Sequence, residues 1–206
     1  MSARRVELFV DPVCPFAWMT SRWLLHAAEV REVTPKFSVM SLSVLNEGRD
    51  LDPGYRASMD DAWGPARLAI AIGRAEGEEA VARWYTAWGE RFHVGGESSD
   101  RRATAVAALA DAGLPESLIE AYAPVAGDEV DQALRASHDR ALSRVGDEVG
   151  TPVISFGEGT AYFGPVVSPA PKGEEAGKLL DALATMATID GFYELKRSRS
   201  GGVDLS

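Results

Sequence analysis

Apolar and polar positions change rhythm three times along this chain. Val6-Glu7-Leu8-Phe9-Val10 is a short apolar run, and residues 5–10 read as a first strand. From Pro15 to about Val30 the apolar positions Trp18, Trp23, Leu24 and Ala27 or Ala28 recur at three- and four-residue spacing, which predicts a helix. Pro15 suits its first turn, where a missing N–H costs nothing. Thr34-Pro35 interrupts the pattern, and Lys36 to Leu42 alternates as a second strand. Strand, helix and strand in this order predict a βαβ unit with parallel strands and a right-handed crossover.

The rhythm then becomes helical. Asn46 to Tyr55 is polar, holds Gly48, Pro53 and Gly54, and reads as a loop. Ala, Glu, Arg and Leu dominate from about Ser58 to Arg144, predicting helices near 58–76, 78–92, 99–112, 115–123 and 128–144. Gly95-Gly96 and Ala112-Gly113-Leu114-Pro115 separate some of them, and no strand is expected there. Strand signals return at 149–156 and 160–165, two apolar runs across Gly157-Glu158-Gly159 that predict an antiparallel hairpin. A Pro- and Ser-rich loop, 165–172, leads into a helix from Glu174 to about Thr188. The tail with Lys196, Arg197 and Arg199 reads as a solvated charged end. The fold class is therefore α/β: βαβ, an all-helical insertion, then ββα around one four-stranded sheet. Residues 1–45 and 146–206 would form one discontinuous domain, and 46–145 the insertion over the mouth of its site.

Composition narrows the function classes. The chain has 206 residues and a net charge of −10, which argues against a nucleic-acid partner. No apolar stretch approaches the roughly 20 residues that span a bilayer, so no membrane partner is expected. Met1-Ser2-Ala3-Arg4-Arg5 runs into a strand without a signal-peptide pattern. A single cysteine excludes an internal disulfide framework, and with the rest favours a reducing cytoplasm. His26, His93 and His138 stand at no metal-ligand spacing, and no metal is expected. Gly-x-Gly-x-x-Gly, P-loop and Gly-x-Ser-x-Gly motifs are absent.

The one cysteine carries the chemistry. Cys14 follows an apolar run and an Asp11-Pro12 turn, and Cys14-Pro15 opens a helix. Helix N–H groups and the dipole favour a thiolate there, so Cys14 is expected to titrate below the usual value of about 8.5. Asp11, mainly a turn residue, would act in the opposite direction. In a Cys-x-x-Cys frame the second thiol resolves the mixed disulfide; here that position is Ala17, so an outside thiol must release Cys14. Gly150-Thr151-Pro152 is the second constellation. A cis Thr151–Pro152 bond near Cys14 would present backbone N–H and C=O to an incoming thiol compound. Trp63, Trp84 and Trp88 read first as core packing, and Trp63-Gly64-Pro65 also as a break beside the cleft. His93 beside Gly95-Gly96 reads as a surface residue or as a ligand contact at a lid. Thr20 and Ser21 read as structural. Lys172-Gly173 offers N–H groups and a cation to a thiol cofactor, against the repulsion of Glu174 and Glu175.

Together these segments resemble the thioredoxin fold, and the helical insertion its DsbA-like branch. Asp11-Pro12-x-Cys14-Pro15, Trp18-x-Thr20-Ser21-Arg22-Trp23, Val39-Met40-Ser41-Leu42, Leu45-Asn46-Glu47 and Ala62-Trp63-Gly64-Pro65 resemble the actinobacterial mycothiol-dependent nitroreductase family. Val149-Gly150-Thr151-Pro152, Phe163-Gly164-Pro165, Gly173-Glu174-Glu175-Ala176-Gly177-Lys178-Leu179 and Phe192-Tyr193-Glu194-Leu195-Lys196-Arg197 extend the likeness over nearly the whole chain. The resemblance implies an oxidoreductase with Cys14 as nucleophile and mycothiol as thiol co-substrate. Pro15, Phe16, Trp18, Thr151, Pro152, Trp63, His93 and Lys172 are its candidate contacts for thiol or substrate. The family motif is Cys-Pro-Trp-Cys; this chain has Cys14-Pro15-Phe16-Ala17, which implies monothiol chemistry on mixed disulfides or on electrophilic or nitro substrates. A small-thiol isomerase or kappa-type transferase needs no second cysteine and is the rival enzyme; a non-catalytic binding domain is the other alternative. A homodimer is compatible with all three.

Overall fold

The structure is a computed structural model that describes residues 4–124, 129–157, 160–198 and 201–205. Met1–Ala3, position 128 at the start of the fifth expected insert helix, Glu158-Gly159 of the hairpin link and Arg199 of the tail lie outside the described residues.

Strand β1 (Arg4–Val10) is followed by helix α1 (Pro15–Ala28) and strand β2 (Val33–Val39). β1 and β2 are parallel, with Leu8 opposite Phe37 and Val10 opposite Val39. The second strand begins three residues before the expected start, because Pro35 lies inside it opposite Val6. β2 is an edge strand in the sheet order β2-β1-β3-β4, where a proline forfeits no ladder bond. Leu42, the expected end of that strand, instead opens a short helix α2 (Leu42–Leu45), capped by the Ser41 hydroxyl.

Among its described residues, the region between β2 and the late strands holds helices joined by turns, and no strand. α3 (Pro53–Asp61) starts inside the expected loop, because Asp52 accepts the N–H groups of Gly54 and Tyr55. The single helix expected over 58–76 is divided at Ala62, and Trp63 opens α4 (Trp63–Glu76). α5 (Glu78–Gly89) continues into a π-helical turn (Glu90–Val94). α6 (Arg101–Asp111) is capped by Asp100, and a 3₁₀ segment (Glu116–Tyr122) precedes α7 (Glu129–Val145). β3 (Val153–Ser155) and β4 (Ala161–Phe163) are antiparallel to each other, and β3 is antiparallel to β1. They form the expected hairpin with shorter strands. α8 (Gly173–Met186) packs on α1.

The aromatic core sets the position of the insertion. Trp18 and Trp23 of α1 and Trp84, Tyr85 and Trp88 of α5 are all fully buried. Trp18 stands edge-on to Tyr85 with centroids 5.9 Å apart, and Trp84, Trp88 and Phe92 form a stacked row. Gly89 is the point of closest approach: a Cβ there would overlap the Trp18 ring, so only glycine lets α5 sit this near α1. α5 is thereby pressed onto the helix that Cys14 begins.

Candidate active site around Cys14

Cys14 is the N-cap of α1, with extended backbone, and its Sγ accepts the Ala17 N–H at 3.4 Å. Pro15 occupies the first helical position and Phe16 lies half-buried beside it. Across from the sulfur, the Thr151–Pro152 bond is cis, and Sγ donates to the Thr151 carbonyl at 3.5 Å. The Pro152 carbonyl accepts Gly164 N–H at 2.8 Å, and the Pro165 carbonyl accepts the Thr20 hydroxyl at 2.6 Å. Thr20 therefore fastens the loop after β4 to α1.

The turn before Cys14 is held from several elements. The Pro12 carbonyl accepts Trp88 Nε1–H at 2.8 Å and meets His93 Nε2 at 3.0 Å. His93 also stacks on Trp18, and burial pushes its pKa down to about 4, against the pull of the Pro12 carbonyl. It is a half-buried, packed donor on the π-helical turn, covered more than the surface reading expects. Asp11 is completely buried. Its carboxylate accepts Val13 N–H at 2.9 Å and Leu42 N–H at 2.6 Å, tying the nucleophile turn to α2. Burial raises the Asp11 pKa to about 6, although both N–H groups and the Arg101 charge act downward. The sequence shows Asp11 only as a turn former; its partner, 31 positions away, has no local signal.

The expected depression of the Cys14 pKa is not what the site produces. Cys14 is only 8% exposed, and burial pushes its thiol above the usual value. Thr151 and the N–H groups of Ala17 and Phe16 pull it down, while the Asp11 charge pushes it further up. The helix terminus helps the thiolate as expected, but desolvation outweighs it. Burial favours the neutral thiol over the thiolate.

One candidate contact, Trp18, lies behind the site, and two others, Trp63 and Lys172, have their contacts in other seams. Trp18 is 1% exposed and packs between Tyr85, His93 and Arg22, whose guanidinium lies 4.0 Å over its ring. It backs the site as core. Trp63 lies under Arg67 and Arg135, which pair with Asp131 and Glu47, so its contacts belong to the α4–α7 seam. Lys172 is exposed at the start of α8, whose first turns bind Trp23 in the second half of α1 and Arg31 just beyond that helix. The Ala176 carbonyl accepts Trp23 Nε1–H, and Glu174 pairs with Arg31. Glu174 and Glu175 stand in the first turn of α8, where Glu174 is engaged by Arg31. Among the described residues no group of three or more His, Cys, Asp or Glu could hold a metal, and no helix is long and apolar enough to cross a membrane.

Three comparisons bear on this geometry. The family model described as "Mycothiol-dependent nitroreductase Rv2466c" matches residues 13–197. An uncharacterized protein of Mycobacterium tuberculosis, Rv2286c, is 29% identical over 197 residues, covering 95% of this chain and 82% of that protein. Among solved structures, the probable DsbA oxidoreductase SCO1869 from Streptomyces coelicolor aligns with TM-score 0.59 and 16% identity, over 96% of this chain and 94% of its own. The cytosolic disulfide reductase DsbM from Pseudomonas aeruginosa, solved with GSH, aligns with TM-score 0.55 and 16% identity, over 88% of this chain and 99% of its own. At these identities the solved structures establish the fold, a DsbA-like thioredoxin fold.

Proposed function

The chain belongs to the Rv2466c-like family of mycothiol-dependent nitroreductases, and from that membership we propose a monothiol oxidoreductase with Cys14 as nucleophile and mycothiol as its thiol partner. The observation that carries this reading is one sulfur at a helix start, facing Ala17 N–H and the Thr151 carbonyl, in a chain with no second cysteine. In the first step the Cys14 thiolate attacks one sulfur of a mixed disulfide of mycothiol. A Cys14–mycothiol disulfide forms, and the other half leaves as a thiolate that takes up the Cys14 proton. A second mycothiol thiolate attacks the bound mycothiol sulfur, so mycothiol disulfide leaves and the Cys14 thiolate returns. For an electrophilic or nitro substrate the electron pair comes from the same two mycothiols. A raised thiol pKa lowers the thiolate fraction but raises the nucleophilicity of each thiolate. This cycle needs abundant free thiol, and we assign it to the cytoplasm.

The test is intact-mass analysis after incubation with oxidised mycothiol. One adduct per chain is expected, stable until free thiol is added and absent in Cys14→Ser. Ala17→Cys should shorten its lifetime and leave an internal disulfide. Spontaneous loss of the adduct from the unaltered protein overturns the monothiol cycle. Full activity in Cys14→Ser moves the chemistry to a bound thiol and to the isomerase or transferase reading.

A further inference from the structure

An open groove of about 460 Å³ begins one residue from Thr151. Leu42 and Leu45 of α2 form an apolar side, Asn46, Arg49 and Tyr55 follow it, and Asp147 to Gly150 close the opposite wall. Its volume falls in the range of small-molecule sites. Two contacts join it to the nucleophile. The Leu42 N–H is held by Asp11, whose other oxygen holds Val13 N–H beside Cys14. Gly150 precedes Thr151, whose carbonyl lies 3.5 Å from Sγ. A ligand bonded to Cys14 through sulfur and passing Thr151 therefore leaves the sulfur over Gly150 and enters the groove.

The lining describes the ligand. Arg49, Asp147 and Glu148 are exposed charges of both signs, and Tyr55 is 45% exposed. Asn46 spends its Nδ2–H on the Leu42 carbonyl at 2.8 Å, which leaves its Oδ1 as an acceptor. Charges of both signs with a phenol and an amide oxygen suit hydroxyl groups, which donate and accept. They do not suit a ligand of one charge sign. The leucine side suits the C–H face of a sugar or cyclitol ring. Thr151, only 6% exposed, stands between the sulfur and the groove's Gly150 end, and its side chain also acts on the Cys14 thiol.

We infer that this groove, between Leu42–Tyr55 and Asp147–Gly150, is the subsite for the hydroxyl-rich portion of the thiol that joins Cys14. The inference deepens the function proposed above and rests on it. The chemistry is unchanged: the Cys14 sulfur bonds one sulfur of a disulfide, the S–S bond breaks, and the other half departs with the proton. The groove decides which disulfide is favoured.

Two probes separate these roles. Oxidised mycothiol carries the sugar and cyclitol, and bis(2-hydroxyethyl) disulfide lacks both. Rates of adduct formation on Cys14 are followed by mass spectrometry for the unaltered protein, Arg49→Ala, Tyr55→Ala and the double variant. Both residues are exposed and outside the buried core. The double variant should slow the mycothiol disulfide about tenfold, the loss of two ordinary hydrogen bonds, and change the small disulfide by less than about twofold. Equal slowing with both probes, or no slowing with either, overturns the subsite and leaves the nucleophile standing. No adduct from either probe on the unaltered protein overturns the nucleophile, and the subsite with it.

Discussion

Asp11→Asn isolates the energetics of the carboxylate behind the nucleophile turn. The folded protein raises this acid from 3.8 to about 6, with burial the dominant cause. The folded state therefore binds the proton more tightly than the unfolded state. Stability from this group is fully present below about pH 3.8 and is lost as pH rises through about 6. The difference of about 2 units corresponds to about 3 kcal/mol. Because Asp11 is fully buried, solvent screening does not reduce that figure. The substitution removes the titration, but only one of the Val13 and Leu42 N–H groups keeps an acceptor, a cost that does not change with pH. Whatever the offset from the lost bond, the stability of the variant relative to the parent should rise by about 3 kcal/mol between about pH 4 and pH 7. Urea unfolding followed by tryptophan fluorescence measures the gap across that range, and taking the difference cancels the other titrating groups. A relative stability that does not shift in the variant's favour as pH rises would refute the reasoning. The retained Asp is then understood through its contacts. Ionised, it accepts both Val13 and Leu42 N–H groups and fixes the Cys14 turn against α2.

The same charge pushes the Cys14 pKa upward, so Asp11→Asn should move the pH profile of Cys14 alkylation toward lower pH; an unmoved profile would separate the two groups. Glu7 shows the opposite linkage. Burial pushes its carboxyl up, but Ser38, Arg140 and Lys36 together outweigh this and hold it at about 2. Glu7→Gln should cost about 2–3 kcal/mol at neutral pH, a deficit that shrinks as pH falls from about 4.5 toward 2 in chemical denaturation. Gly89→Ala forces a methyl into the Trp18 ring and should destabilise by about 1–3 kcal/mol or more; a thermal midpoint equal to the parent's would show that α1 and α5 can separate. His93 should stay neutral down to about pH 4 in an NMR titration, whereas a midpoint near its ordinary value would mean that the π-helical turn does not cover it.

The sequence by itself determined what local rules control. Periodicity marked α1, β1 and the helical insertion, and Pro15 and Cys14 marked the start of α1. The missing resolving thiol is a fact of sequence alone, as is the segment Gly150-Thr151-Pro152. Tertiary structure decided whatever depended on distant partners. Pro35 was admitted to a strand because β2 fell at the sheet edge. Trp18 became core, and Trp63 and Lys172 went to other seams, because α5, α7 and α8 chose their packing faces after folding. The Cys14 pKa moved upward because burial, which no local motif encodes, outweighs a helix terminus that the motif does encode. The link from Asp11 to Leu42 and the groove beyond it arise the same way: desolvation and chain crossing depend on which surfaces meet. Those contacts exist only once the sheet has closed.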